Sequence, residues 1–192
     1  MQRFDLAQVA PTRWKNGGGA TRELACWPPG AGMDDFEWRV SVATIAAPGP
    51  FSAFAGVDRQ IMLLAGDGMH LRAPGGALDH RVDRRWQPLA FAGELAVDCT
   101  LLGGESTDFN LMLRRGRWQG GVQVVNGAQT PGSTPAGLCL VLAGRWRWGD
   151  DTLAAGQGLW WSAREAGLAI TPQEGPGDHA PILAWVGLAP GS

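Results

Sequence analysis

The chain has 192 residues, of which 45% are hydrophobic, and a net charge of -2. That is enough apolar material for a sizeable core, and it gives no bulk electrostatic drive towards nucleic acid or an anionic membrane. No apolar run approaches the ~20 residues of a membrane-spanning helix. The start, Met1-Gln2-Arg3-Phe4-Asp5, has no signal-peptide core. A cytoplasmic protein is expected, one that binds neither nucleic acid nor membrane.

The 29 Gly and 13 Pro are scattered through the chain, leaving little room for long helices and predicting short strands joined by turns. The best helix candidate is a turn near Gln2–Val9. The stretch Asn16-Gly17-Gly18-Gly19 is either a nest of backbone N–H groups for an anion or a tight turn that needs positive φ. It lacks the strand–turn–helix setting of a phosphate loop. Residues 36–45 alternate with period two, Phe36, Trp38, Val40 and Val42 on one face and Glu37, Arg39 and Ser41 on the other. If the Trp38 face packs between sheets, Arg39 and Ser41 point into a barrel, where the guanidinium needs Glu23, Asp58 or a ligand carboxylate as partner. If the faces are reversed, Arg39 is a surface residue. Further strands are predicted at 58–65, 68–73, 88–91, 94–101, 108–115, 121–125, 138–143, 145–148, 158–162, 166–171 and 181–188. Asp58 and Arg59 are adjacent, so only one of them can face a pocket.

Cys26, Cys99 and Cys139 are odd in number and widely spaced, which argues against a disulfide framework or a zinc site. Ten Trp and no Tyr suit a wide barrel or a sheet interface. Trp146, Trp148, Trp160, Trp161 and Trp185 form either the core of a second barrel or, if exposed, a subunit surface and a homodimer.

The chain also repeats itself. Leu63-Leu64-Ala65-Gly66 resembles Val141-Leu142-Ala143-Gly144. Pro88-Leu89-Ala90-Phe91 resembles Gly158-Leu159-Trp160-Trp161, and Glu94-Leu95-Ala96-Val97 resembles Gly167-Leu168-Ala169-Ile170. The order is kept at offsets of roughly 70–80 residues, which reads as a duplicated barrel or as chance recurrence in an Ala/Gly-rich chain. Duplication predicts two halves, 1–104 and 105–192, joined near Gly103–Thr107, with strand 108–115 able to pack on the first.

Four patches occur in order: Trp14 to Glu23, Trp38 to Ala43, Gly49 to Arg59 and Asp108 to Met112. Together they resemble the HutD/Ves family over residues 10–125, with only a general likeness beyond. The resemblance implies an all-β fold of two tandem cupin (double-stranded β-helix) barrels, a bicupin. It also implies a link to bacterial histidine utilisation, in which HutD limits the pathway by sensing an intermediate. No catalytic residues carry over from the family. An arginine at position 59 matches its pattern, so Arg59, not Asp58, is expected in the pocket, or else in a structural salt bridge that closes loop 49–57.

Metal-binding cupins use a His-x-His pair, a carboxylate and a later His, donors suited to iron or manganese. Only His70, His80 and His179 are present, and Arg72 stands where the second ligand of a pair starting at His70 would be. No metal and no cofactor are expected. The ligand-binding candidates are Trp14, Asn16, Arg39, Ser41, Phe51, Ser52, Phe54, Arg59 and Asn110. Arginine grips a carboxylate through two parallel hydrogen bonds, Asn offers a donor and an acceptor, and aromatics can wall a pocket. The expected function is metal-free binding of a small carboxylated metabolite, of the urocanate or N-formylglutamate class, by a regulator. The alternative is a metal-free isomerase or lyase with Asp58, Asp108 or Glu23 as general acid or base.

Overall fold

In a computed structural model, residues 1–164, 167–173 and 180–191 are described. The fold is all-β. The first strands are β1 (Gln2–Asp5), β2 (Thr12–Arg13), β3 (Gly19–Trp27), β4 (Trp38–Ile45), β5 (Gly49–Pro50) and β6 (Val57–Ala65). Then come β7 (Met69–Ala73), β8 (Leu78–Val82), β9 (Leu89–Ala92), β10 (Asp98–Leu101), β11 (Ser106–Arg114) and β12 (Trp118–Val125). The last six are β13 (Ala136–Ala143), β14 (Arg145–Trp148), β15 (Asp151–Ala154), β16 (Gln157–Trp161), β17 (Ile170–Gln173) and β18 (Ile182–Pro190).

Two compact units divide the chain: Ala10–Arg117, and Met1–Val9 together with Trp118–Ser192. The joint expected near residues 103–107 therefore falls after Arg117. The reason is β11, which pairs along its length with both β4 and β6 and so belongs to the first unit. The helical turn expected near Gln2–Val9 is instead β1, paired with β16, followed by a single 3-10 turn at Leu6–Gln8 that Asp5 caps through the Ala7 N–H.

Each unit has a larger and a smaller sheet. The Ala10–Arg117 unit orders its strands β2-β3-β4-β11-β6-β9 and β5-β10-β7-β8. The other unit orders them β1-β16-β13-β18-β12 and β15-β14-β17. Matching β4, β6, β9 and β11 with β12, β13, β16 and β18 gives the same neighbours in both. The bulges match too: the ladder slips opposite Leu64 in one unit and opposite Leu142 in the other. Both lie in the strings whose likeness marked the repeat.

Six strands escaped prediction: β1, β2, β3, β5, β8 and β15. In β3 a register shift between Glu23 and Ala25 puts Leu24, Ala25 and Cys26 into the interior in succession, and a bulge of this kind erases period two. Residues 94–97 form the turn before β10 rather than part of it, with Leu95 N–H bonded to the Ala92 carbonyl. His179 and residue 166 of the expected 166–171 strand lie outside the described residues.

The register fixes which side chains face inward. Opposed residues of an antiparallel ladder share a face, so Arg39, Ser41, Ala43 and Ile45 of β4 lie with Asp108, Asn110 and Met112 of β11 and with Arg59, Ile61 and Leu63 of β6. Ile45, Ile61 and Leu63 pack against Met69, Leu71, Val97 and Cys99 from the side of the smaller sheet, which makes this the lumen face. Trp38, Val40, Val42, Phe109 and Leu111 point the other way and are also buried.

Candidate functional site

A polar band crosses the lumen of the Ala10–Arg117 unit between two apolar clusters. At one end are Ile45, Leu63, Met69 and their neighbours; at the other are Cys26, Phe36, Val57 and Met112. Between them lie Arg39, Ser41, Arg59, Asp108 and Asn110 on three adjacent strands.

Arg59 is the centre. It is 8% exposed, and its guanidinium carbon lies 5.3 Å from the Phe51 ring centroid, 5.8 Å from Phe54 and 5.1 Å from Phe91. Phe91 faces it across the β6–β9 ladder. Phe51 and Phe54 come from the loop after β5, which is tied down by Phe51 N–H to the Val97 carbonyl and Phe54 N–H to the Gly93 carbonyl. Three ring faces around a cation are favourable, but rings do not replace hydrogen bonds. Among the described residues Arg59 donates two long ones, 3.4 Å each, to the Ser52 carbonyl and to Asn110 Oδ1. Its Nε has no partner. Burial lowers its pKa to about 10, so it stays charged at neutral pH.

Arg39 lies nearer the solvent. Its Nε donates to Glu23 Oε2 at 2.6 Å, and its Nη1 donates to the buried Ser41 hydroxyl at 3.4 Å. Its partner is thus the half-exposed Glu23, and Asp58 plays no part. Asp58 is on the opposite face of β6, where Arg115 bridges it at 2.7 Å and Glu94 at 3.1 Å. Asp108 is fully enclosed, and its Oδ1 has no hydrogen-bond partner. Burial pushes its carboxyl up to about 7, with Arg59 pulling the other way.

The structure thus brings Arg39, Ser41, Phe51, Phe54, Arg59 and Asn110 to one lumen. Ser52 contributes its carbonyl, while its side chain is exposed. Trp14 packs over Gly19 with its Nε1 donating to Thr21 Oγ1 at 2.8 Å, at the Ile45 end of the lumen. Asn16 is exposed; its Oδ1 accepts from Gly18 N–H, while Gly17 N–H donates to the Trp14 carbonyl. Those amides are consumed by a tight turn, and the anion-nest reading of Asn16 falls away. Phe91 and the unpartnered Oδ1 of Asp108 were not anticipated. A facing assignment for residues 88–91 would have found Phe91, since β9 alternates like its neighbours.

The donor set of the lumen does not fit a transition metal. Guanidinium groups cannot ligate, and among the described residues Asp108 is the one buried carboxylate. His70 turns away from the buried Met69 and Leu71 to bond Asp79, and His80 is exposed on β8. Among the described residues no group of three or more His, Cys, Asp and Glu could hold a metal ion. No described helix is long and apolar enough to cross a membrane.

The corresponding positions of the other unit carry no charged groups. By the matched ladders, Arg59 corresponds to Gly137, Asp108 to Leu183, Asn110 to Trp185 and Phe91 to Trp161. Trp161 and Trp185 stand 5.1 Å apart among Cys139, Val141 and Leu183, filling the space. A side chain at Gly137 would collide with the Trp161 ring. Trp146 is buried in the same core, and Trp148 and Trp160 are half-buried. Trp146, Trp161 and Trp185 are core, with Trp148 packed against them, whereas Trp160 lies on the opposite face of β16.

Comparison with known proteins agrees with this fold. The HutD family model matches residues 6–176. Protein Ves of Cronobacter sakazakii is 40% identical over 176 residues, covering 91% of this chain and 94% of that protein. The solved structure of HutD from Pseudomonas fluorescens SBW25, in a formate condition, superposes with a TM-score of 0.82 at 28% identity, over 100% of this chain and 99% of that one. Cupin-like folds follow at much lower identity, among them an oxalate decarboxylase of Bacillus subtilis with a TM-score of 0.61 at 9% identity, covering 96% of this chain and 76% of that one. With the family model and a relative of this identity both spanning most of its length, the chain belongs to the HutD family.

Proposed function

We propose that the lumen of the Ala10–Arg117 unit binds a small carboxylated metabolite without a metal, and that the protein is a cytoplasmic regulator of histidine utilisation built from two cupin barrels. The carrying observation is Arg59: a charged guanidinium, buried among three phenylalanine rings, with an unpartnered Nε and two long bonds. A buried cation so poorly satisfied is costly unless an anion joins it. A carboxylate there would gain charge-assisted bonds, with Asn110 and Ser41 placed to orient polar groups and the rings to cover the apolar part. Calorimetry with urocanate and N-formylglutamate tests this. Binding in the millimolar range or tighter, lost in Arg59→Met, is the expected result. A folded protein that binds neither at millimolar concentration would refute it.

A second reading is a metal-free isomerase or lyase. One observation favours it: Asp108 sits beside Arg59 with its carboxyl raised to about 7, near the pH at which a general base works best. Glu23 and Asp58 are held in ion pairs away from it. Turnover of either metabolite, abolished in Asp108→Asn, would establish this reading.

A further inference from the structure

Asp108 and Asn110 lie two positions apart on β11 and face the same lumen. Asp108 is the deeper, level with Ala43 and Leu63. The groups that face it are Arg59 from β6, the Cys99 thiol from β10 and, one step further, Arg39 of β4 with its partner Glu23 of β3. From β7 and β8, His70 and Asp79 pair with each other at the exposed side. Arg59 attracts Asp108, yet among the described residues no salt bridge joins them. Arg59 Nε and Asp108 Oδ1 are both buried and both unpartnered. A cation donor and a carboxyl oxygen are therefore both left unsatisfied on one lumen face.

An anion entering this space alone would face an ionised Asp108. Two buried negative charges beside one guanidinium leave one charge uncompensated, which a low-dielectric interior penalises strongly. Entry of the anion together with a proton keeps the balance: Arg59 positive, ligand negative, Asp108 neutral. The proton also converts Oδ1 from an acceptor into a donor. The incoming carboxylate has two oxygens, one for each open group.

We propose that Asp108 is a ligand-binding residue acting in its protonated form, so that the site takes up a carboxylate together with one proton from solvent. Arg59 holds one oxygen, and Asp108 donates its proton to the other. The ligand class is a carboxylate whose two oxygens are both unhindered. This rests on the binding reading above and adds to it a specific proton stoichiometry.

Formate and N-formylglutamate are suitable probes, because both stay ionised between pH 7 and 9. Titration calorimetry in two buffers of different ionisation enthalpy counts the protons. Near pH 8 the expected uptake approaches one proton per ligand, and the dissociation constant rises about tenfold per pH unit above the titration of Asp108. Asp108→Asn, checked for fold by circular dichroism, is expected to bind with no proton uptake and a flat profile. Binding by the unaltered protein with no proton uptake and no pH dependence overturns the inference and leaves the binding reading standing. Absence of binding by both probes and by urocanate removes both.

Discussion

Arg59 and Asp108 are opposites in how their charges tolerate burial. The guanidinium keeps its charge and gathers ring faces, whereas the carboxyl holds its proton up to about pH 7. This has a signature in stability. The folded pKa of Asp108 is raised from 3.8 to about 7, so between those values the folded chain holds a proton that the unfolded chain has lost. Stability from this group is complete below the unfolded pKa and is lost as pH rises towards 7. Relative to Asp108→Asn, the unaltered protein should lose up to about tenfold in its folding equilibrium per pH unit across that window, measured by urea denaturation at pH 5, 6, 7 and 8. Arg59→Met should abolish carboxylate binding while leaving the melting midpoint at pH 6 unchanged or raised, because it replaces a poorly bonded buried charge with an apolar chain. The three thiols give a plainer expectation. Cys26, Cys99 and Cys139 are all buried, and burial raises them to about 11, 11 and 12. A thiol reagent should label none of them in the native protein and all three after denaturation. At this scale much of the site was legible, since adjacency alone forced Asp58 and Arg59 to opposite sides. The unpartnered Oδ1 of Asp108 was not, because a missing partner is a property of the surroundings and leaves no mark in the chain.

Strand β11 holds the site together. It lies between β4 and β6 and presents Asp108 and Asn110 on one face and Phe109 and Leu111 on the other, all buried. Phe109→Ala should cost about 3–5 kcal/mol, read as a shift in the denaturation midpoint. Its first residue is fixed by the turn before β7: Gly68 N–H donates to Ser106 Oγ at 2.9 Å, and the hydroxyl donates back to the Gly68 carbonyl at 3.3 Å. Gly66 in that turn has φ +91°, and a side chain there would collide with the Glu105 carbonyl and Ser106. Strands with unbroken alternation, such as β4 and β11, could be read from the sequence. Strand β3 could not, because its bulge sends three successive side chains inward. The facing of β4 also stayed open at the sequence level, since both of its faces are buried and hydrophobicity then carries no sign.

The whole molecule shows one strand plan filled in two ways. Around the ladder that carries Arg59, Asp108 and Asn110 in one unit, the other carries Gly137, Leu183 and Trp185, and the indoles occupy the volume that polar groups hold in the first. Trp185→Ala should therefore cost about 3–5 kcal/mol and open an apolar cavity, and free indole should recover part of the lost midpoint by binding to the folded form alone. The faint repeat in the sequence survived at the turn and bulge positions because backbone geometry constrains them. It was erased at the lumen positions, where the contents differ. The placement of β1 carries a consequence for synthesis and for handling of the protein. Strand β1 finds its partner, β16, only after about 150 more residues have emerged, so the Ala10–Arg117 unit can fold while β1 still waits unpaired. Trimming residues 1–9 would consequently leave the Ala10–Arg117 unit intact and strip the border strand from the Trp-filled one, exposing β16 to pairing with other chains.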